Sequence, residues 1–372
     1  MAYANDSKSF VRKGMWVRLP PPAPFIFKLM AQSLFSQLLN ELQTNQNHDA
    51  SIERCKVIIK DLENSLDKRV VVYFASEVGN DAASMVNDDD VFFIENLLST
   101  SSDRKDLVLI LHSDGGLSLS AERIIDVCRN YCIQRNDGSK FFVIVPKKAK
   151  SAATIVALGS DKIYLRDTAE LGPVDPQFIV ANKDGNIQVD PAYLYVDALE
   201  NIFNNEITPF YKTFFNLNND KPLSNLPNAM KMKLLEQCNY AMYVSAKNEL
   251  GLSDSIIEKI SKEKIKQYPS ISPKDFDIFR DPHITKSHGR IINFSDLVNN
   301  ALRTENIIER LETISEDKVK YKKIDNLLWE LYVRKKQLVN DPGNNIVKTI
   351  ESTEEFFMHI GMKRGQIKKI SS

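Results

Sequence analysis

The sequence predicts an α/β fold in which a parallel sheet is crossed by helices, and three observations in residues 107–177 carry that prediction. Two runs of mostly β-branched, leucine and phenylalanine residues, 107–111 and 141–145, are typical of buried parallel strands. Two adjacent glycines, Gly115 and Gly116, follow the first run closely. Residues 118–131 between the runs have helical apolar periodicity. Strand, glycine turn, helix and strand form a right-handed crossover unit.

Each of the two strands is followed by a loop with chemically useful residues. Gly115 and Gly116 let the backbone turn sharply and leave N–H groups free to point at a ligand. The second strand stops at Pro146, and after residues 147–150 a helix begins at Ser151. Because parallel strands place their carboxyl ends at one edge of the sheet, we expect the two loops to meet there.

Ser151 has two interpretations. A serine at the start of a helix is most often an N-cap, whose hydroxyl accepts from backbone N–H groups of the first turn. Its neighbours are small, however, and would let a substrate backbone approach the hydroxyl. The N–H groups of Ala152 and Gly116 could then form an oxyanion hole. A serine after a tight strand-to-helix turn follows the logic of the nucleophile elbow, although the glycine-flanked signature is absent.

Three sequence blocks in order carry a resemblance to a known family: HSDGG at 112–116, AKSAATIVALGSDKIYL at 149–165 and LGPVDPQ at 171–177. They resemble the serine dehydrogenase proteinase family, which shares the Clp-protease-like fold with signal peptide peptidase A and the crotonases. The resemblance implies a Clp/crotonase-like α/β fold of repeated ββα units. It also implies a nucleophile at Ser151, oxyanion positions at Gly115, Gly116 and Ala152, a peptide or protein substrate and a homo-oligomer.

The sequence also departs from the family pattern. Asp114 stands where the family usually has proline, and Ala153 stands where it usually has glycine. The histidine that Clp proteases use as general base is absent after the serine, since residues 172–177 contain none. The lysine used by signal peptide peptidase A is absent between residues 188 and 201. A serine hydroxyl is a poor nucleophile without a base, so the base has to lie elsewhere.

Five side chains remain as candidate bases: Lys148, Lys150, Lys183, His283 and His288. A lysine works as a base only where burial or a neighbouring cation lowers its pKa. Of the five we favour Lys183, although residues 182–186 are typical of a hairpin turn, which would expose it.

Composition excludes several function classes. The formal net charge of zero gives no electrostatic argument for nucleic acid or for an anionic membrane surface. No run of apolar residues is long enough to span a bilayer. Four irregularly spaced cysteines suggest no disulfide framework, which fits a reducing cytoplasm. No GxGxxG fingerprint follows a strand, and His283 and His288 lack a third ligand, so we expect neither a cofactor nor a metal.

The chain divides into four predicted parts. Residues 1–29 read as a disordered or non-native extension, with Met30 as the natural start, and residues 30–66 as N-terminal helices. Residues 67–290 form the Clp-like domain, and residues 291–372 a C-terminal helical extension. Apolar stripes in 307–314 and 324–338 predict a helical hairpin in that extension, and residues 228–260 read as two helices split near Gly251.

Three functions fit these observations. The first is a Clp-fold serine peptidase that hydrolyses peptide bonds through an acyl-enzyme at Ser151. The second is a catalytically silent Clp-fold protein that binds a peptide or partner, because the expected histidine and lysine are absent. The third is a crotonase-like enzyme that acts on an acyl thioester, because that related fold uses the same pair of N–H groups.

Overall fold

A computed structural model describes residues 36–38, 40–41, 48–77, 82–100, 106–181, 187–201, 240–285, 287, 289–341 and 343–361. The helices of this part are α1 (His48–Leu66), α2 (Asp88–Ser99), α3 (Ser118–Gln134), α4 (Ala152–Leu158), α5 (Ala192–Asn201), α6 (Tyr240–Gln267), α7 (Asp277–Arg280), α8 (Pro282–Thr285), α9 (Ala301–Thr304) and α10 (Lys318–Asn340). The strands are β1 (Lys68–Ala75), β2 (Asp106–His112), β3 (Phe141–Val145), β4 (Lys148–Ala149), β5 (Lys162–Leu165), β6 (Glu170–Leu171), β7 (Gln177–Ala181), β8 (Ile187–Pro191), β9 (Ile308–Arg310), β10 (Ile346–Glu351) and β11 (Phe356–Ile360). Short 3-10 helices lie at Ala82–Ser84, Pro273–Phe276, Phe294–Leu297 and Leu311–Ile314.

A seven-stranded sheet in the order β11-β10-β1-β2-β3-β5-β9 forms the centre of the molecule. Strands β1, β2, β3, β5 and β9 run parallel, and β10 and β11 join one edge antiparallel. The predicted α/β class with a largely parallel sheet and crossover helices is confirmed. Two short pairs stand apart from this sheet, β4 with β6 and the hairpin of β7 and β8.

Alternation along the strands divides the core into two apolar layers. In β2, Leu107, Leu109 and Leu111 face a layer built with α2, α3, α4 and α6. Val108 and Ile110 face the opposite layer, which is built with α1 and α10. Because side chains of successive strand residues point to opposite faces, alternate residues of each strand contact the two layers. In β2, only the residues that face the first layer lie on the same side of the sheet as α4.

The C-terminal part differs from its prediction. The first half of the predicted helical hairpin is wrong, because residues 308–310 form the edge strand β9 beside β5 and residues 311–314 form a 3-10 helix. The second half is the helix α10. Short apolar runs fit a strand and a helix equally well, and here pairing with an open sheet edge decides between them. The described part of 291–372 is thus not purely helical, since three of its strands complete the sheet.

The predicted break at Gly251 is also wrong. Helix α6 runs continuously from Tyr240 to Gln267 through this glycine. A glycine inside a helix costs about 1 kcal/mol relative to alanine, and the buried face formed by Ile256, Ile257 and Ile260 outweighs that cost. No helix in the described part of the chain combines the length and the apolar character needed to cross a bilayer.

Candidate active site

The loop after β2 and the strand β4 meet at the carboxyl edge of the sheet. The N–H of Ser113 donates to the carbonyl of Lys148 at 3.2 Å, and the N–H of Lys150 donates to the carbonyl of Ser113 at 3.0 Å. These two hydrogen bonds pair Ser113 with Ala149 as in a parallel sheet. The two loops that the sequence predicts to meet are therefore joined by main-chain hydrogen bonds directly before Ser151.

Gly115 and Gly116 allow an approach that no side chain permits. A Cβ on Gly115, whose φ is +106°, would lie 2.7 Å from the Cβ of Ser151 and 2.6 Å from the carbonyl oxygen of Lys150. A Cβ on Gly116, whose φ is +156°, would lie 2.3 Å from the backbone nitrogen of Val86. All three distances are far below van der Waals contact. The glycine turn thus lies against Ser151 on one side and against Val86 on the other.

Ser151 has an unusual backbone conformation for a residue with a side chain. Its φ is +49° and its ψ is −122°, outside the regions that L-residues favour. Such strain costs about 1–3 kcal/mol and persists only where the surroundings fix it. The N–H of Ser151 donates to the carbonyl of Pro173 at 3.1 Å, and its carbonyl accepts from Ile155 at 3.2 Å. Its hydroxyl makes no capping hydrogen bond to α4, so the N-cap interpretation does not describe this serine.

Two of the three predicted oxyanion N–H groups have no acceptor in the described part of the chain. The N–H of Gly115 donates to the Ser113 hydroxyl oxygen at 3.0 Å and is occupied. The N–H groups of Gly116 and Ala152 donate to no described residue. Ala152 is fully buried, and an unpaired buried donor is costly unless a water or ligand satisfies it. Gly116 and Ala152, rather than Gly115, therefore have unpaired N–H groups among the described residues, one directly after the glycine that lies against Ser151 and one directly after Ser151 itself.

Thr154 holds the third predicted block against the start of α4. Its hydroxyl oxygen lies 2.8 Å from the carbonyl of Ala149 and 2.9 Å from that of Gly172, and it accepts from the N–H of Gly172 at 3.2 Å. Thr154 is fully buried. The segment that reads LGPVDPQ is thus fixed beside Ser151 from within α4.

Both lysines that flank the serine are ion-paired. The ammonium of Lys148 lies 2.6 Å from Asp114 and 3.8 Å from Glu77. The ammonium of Lys150 lies 3.0 Å from the carboxylate of Glu170. A neighbouring carboxylate stabilises the charged ammonium, which has no lone pair with which to accept a proton. Asp114, the residue in place of the family's proline, thus pairs with one of the candidate bases.

His112 lies on the opposite face of the sheet from α4. It lies on the same face of β2 as Val108 and Ile110. Its ring is fully buried and packs against Phe74 and Tyr332. Its Nε2 lies 2.9 Å from the carboxylate of Glu77. Burial lowers the pKa of His112, while the adjacent Glu77 opposes that shift. The imidazole therefore lies on the sheet face away from α4, the helix that begins directly after Ser151.

Glu77 connects several charged groups at this edge. The hydrogen bond from His112 lowers the pKa of Glu77 to about 2, burial opposes that shift, and Lys148 and Lys336 assist it. Because the carboxylate has a lower pKa in the folded state than its ordinary 4.5, its ionised form stabilises the fold above that pH. This stabilisation is lost as the pH falls from about 4.5 to about 2.

We expect Glu77→Gln to lower the free energy of unfolding at pH 7 by about 1–2 kcal/mol, a value reduced for the partial exposure of this side chain. The difference from wild type should shrink steadily as the pH falls from 4.5 towards 2, because Glu77 is then increasingly protonated and protonated glutamate resembles glutamine. Urea unfolding at pH 7, 4 and 2.5 measures both effects. The exposed Glu249→Gln serves as the control and should match wild type at each pH. A deficit of Glu77→Gln that stays constant with pH would contradict the assignment.

Of the remaining predicted bases, only His283 lies within the described residues. The His283 side chain is 73% exposed, with its Nε2 3.8 Å from Asp197 of α5. Lys183, His288 and Met30 lie outside the described residues. Within the described residues no group of three His, Cys, Asp or Glu side chains could hold a metal ion.

Sequence reasoning missed the side chains that brace the site. Thr154, Glu77 and Glu170 contact site residues across long sequence separations, and no local pattern marks such pairs. His112 does carry a signal. Its place in the alternating run of β2 would have assigned it to the face away from α4.

A comparison with protein families matches residues 26–190 to the family described as the ClpP-like SDH-type serine proteinase. The match contains the Gly115–Gly116 turn, Ser151 and the Thr154-braced segment that follows.

Two curated relatives come from Methanocaldococcus jannaschii. The uncharacterized protein MJ0137 is 30% identical over 169 residues, which cover 44% of this chain and 56% of that protein. The uncharacterized protein MJ1495 is 38% identical over 69 residues, which cover 18% of this chain and 22% of that protein. The matched part of this chain thus spans about half of the length of MJ0137 and less of MJ1495.

Two solved structures of the 1510-N membrane-bound stomatin-specific protease are also similar. One, a variant in complex with a substrate peptide, is 20% identical and covers 39% of this chain and 60% of its own, with a TM-score of 0.23. The other variant is 17% identical and covers 39% of this chain and 69% of its own, with a TM-score of 0.24. Similarity at this level carries no argument about the activity of this chain.

Proposed function

We propose that this chain is a serine peptidase that hydrolyses peptide bonds through an acyl-enzyme at Ser151. The observation that carries the proposal is a strained serine whose hydroxyl makes no capping bond, beside the free N–H groups of Gly116 and Ala152. Hydroxyl, tight turn and unpaired main-chain donors are the parts that acyl transfer requires. The match of residues 26–190 to a serine proteinase family supports the same conclusion.

The proposed reaction uses each part once. The Ser151 oxygen attacks the peptide carbonyl carbon while a base takes the hydroxyl proton, and the carbonyl oxygen becomes an oxyanion held by Gly116 and Ala152. The C–N bond then breaks and the amine leaves with that proton, which gives an ester at Ser151. A water molecule attacks the ester, its proton passes to the base, and the serine and the free acid are released.

We expect Ser151→Ala to abolish labelling by a fluorophosphonate probe and hydrolysis of casein or a mixed peptide library. Loss of a nucleophile leaves only catalysis by binding and the oxyanion donors, so the activity should fall by at least about 10³-fold. Intact-protein mass spectrometry measures the labelling. The exposed serine of α6 gives a matched control, and Ser255→Ala should label as wild type does. Equal labelling of wild type and Ser151→Ala would refute the proposed nucleophile.

Lys183 stays our proposed general base, supported by the pairing of Lys148 and Lys150 with carboxylates. We expect Lys183→Met to lower kcat/KM by at least about 100-fold, the usual contribution of a general base, and to remove the acidic limb of the pH–rate profile. Lys148→Met and Lys150→Met are the matched controls and should retain that limb. Loss of the limb in either of these two variants instead would move the role of base to the neighbouring lysine.

A catalytically silent peptide-binding protein is the second candidate. Two observations favour it: both lysines beside the serine are ion-paired, and Ala152 is fully buried. In that case wild type would bind peptides without being labelled by the probe and without turnover.

A homo-oligomer and a cytoplasmic location complete the proposal. Sedimentation velocity tests the oligomeric state, and cell fractionation tests the location.

A further inference from the structure

A buried charged cluster lies behind the glycine turn, and the peptidase mechanism does not use it. Asp90, in the first turn of α2, lies 2.6 Å from the ammonium of Lys348 and 3.0 Å from Nε2 of His359. Tyr73 donates its hydroxyl hydrogen to Asp90 at 2.8 Å. Asp90 and Lys348 are both fully buried. Because a buried ion pair is weak evidence of added stability, its geometry is more informative than its energy.

One route leads from this cluster to the inner side of the turn. Burial and the adjacent Asp90 raise the pKa of Tyr73 well above its ordinary value, so the phenol keeps its proton and remains a donor. The Ser113 side chain is a second polar neighbour of the Tyr73 hydroxyl. The Ser113 oxygen accepts from the N–H of Gly115 at 3.0 Å. Tyr73 and Ser113 thus lie between Asp90 and the first glycine.

A second route leads to the outer side of the same turn. The ammonium of Lys348 donates to the carbonyl of Met85 at 2.7 Å. The next residue, Val86, donates its N–H to the carbonyl of Gly115 at 2.8 Å and accepts from the N–H of Leu117 at 2.9 Å. These two bonds enclose Gly116 and leave its N–H unpaired among the described residues. One ion pair therefore braces the turn from both sides.

We propose that Tyr73, Asp90 and Lys348 form a positioning network that fixes the glycine turn and, with it, the N–H of Gly116. The inference rests on the proposed function, because it assigns this N–H to the oxyanion. The three residues act through Ser113 and Val86. They are positioning residues, since they act on the glycine turn, which lies against Ser151.

Tyr73→Phe keeps the ring and removes the hydroxyl, so the variant tests the first route with little change in volume. We expect the rate of fluorophosphonate labelling and kcat to fall about 10- to 100-fold with KM unchanged. The reason is that a misplaced Gly116 N–H weakens the binding of the oxyanion, which exists in the transition state and not in the bound substrate. Ser113→Ala should show the same fall, and Ser113→Thr should rescue it. The labelling rate and kcat of the double variant, Tyr73→Phe with Ser113→Ala, should fall no further than those of either single variant, since both substitutions interrupt the same route.

Tyr164→Phe is the matched control, because this tyrosine of β5 faces the opposite apolar layer, and the variant should label as wild type does. Hydrogen exchange of a peptide covering residues 112–118 gives a readout independent of activity. It should quicken in Tyr73→Phe and Ser113→Ala but not in the control. If the probe does not label wild type but hydrogen exchange is faster in these variants, the peptidase proposal is refuted and the positioning network is supported. If the probe labels wild type but Tyr73→Phe leaves kcat and hydrogen exchange unchanged, the positioning network is refuted.

Discussion

Gly115→Ala is expected to lose about 3 kcal/mol of stability and at least about 100-fold in labelling at Ser151. Two costs add. An alanine at φ +106° is strained, and its Cβ would lie 2.6 Å from the Lys150 carbonyl and 2.7 Å from the Ser151 Cβ. These neighbours belong to the segment that holds Ser151, so the clash is relieved only if that segment moves. Urea unfolding and the labelling rate measure the two effects.

Gly138→Ala separates the two costs. Gly138 has a φ of +75°, but a Cβ there would meet nothing within 4 Å. We expect it to lose about 1 kcal/mol from backbone strain and to label at the wild-type rate. Should Gly115→Ala behave like Gly138→Ala in both measurements, the close approach of the turn to Ser151 would not matter for function.

The parts of the site that the sequence predicts are those encoded locally. The strand before the turn is a continuous apolar run, and two adjacent glycines mark a turn whatever surrounds it. Parallel strands then bring Gly115 and Ser151 to one edge without any knowledge of side chains. The cap of α2 is also local, since Asn87 and Asp90 form a capping box as the residues 87–90 suggest.

The parts that could not be predicted depend on partners distant in sequence. Nothing near Lys150 indicates that Glu170 neutralises it, and nothing near Asp90 indicates Lys348. A lysine in isolation reads equally as a surface cation or a base, and only a carboxylate at contact distance decides. The edge strand β9 was misread for the same reason, because its partner β5 lies far away in the sequence.

The largest stability effect is expected at a buried ion pair within the C-terminal part, which joins the helix α10 to the sheet strand β10. The ammonium of Lys335 in α10 contacts the carboxylate of Glu351 in β10, and both side chains are fully buried. Lys335→Met should lower the free energy of unfolding by about 3–5 kcal/mol, because it leaves a buried carboxylate without its cation. Burial raises the pKa of Glu351, and the charge of Lys335 partly opposes that shift. Removing Lys335 therefore raises the pKa of Glu351 further. With a pKa above that of the unfolded chain, Glu351 destabilises the variant most at high pH. The deficit should therefore shrink as the pH falls from 8 to 5.

Lys335→Met combined with Glu351→Leu replaces the pair by apolar groups, and should restore the wild-type stability or exceed it. Lys262→Met breaks an exposed pair with Glu258 and should leave the unfolding midpoint unchanged. Because β10 pairs with β1 inside the sheet, Lys335→Met should shift one cooperative transition of the whole fold. A separate early transition, with labelling of Ser151 retained beyond it, would instead make residues 291–372 an independently unfolding extension.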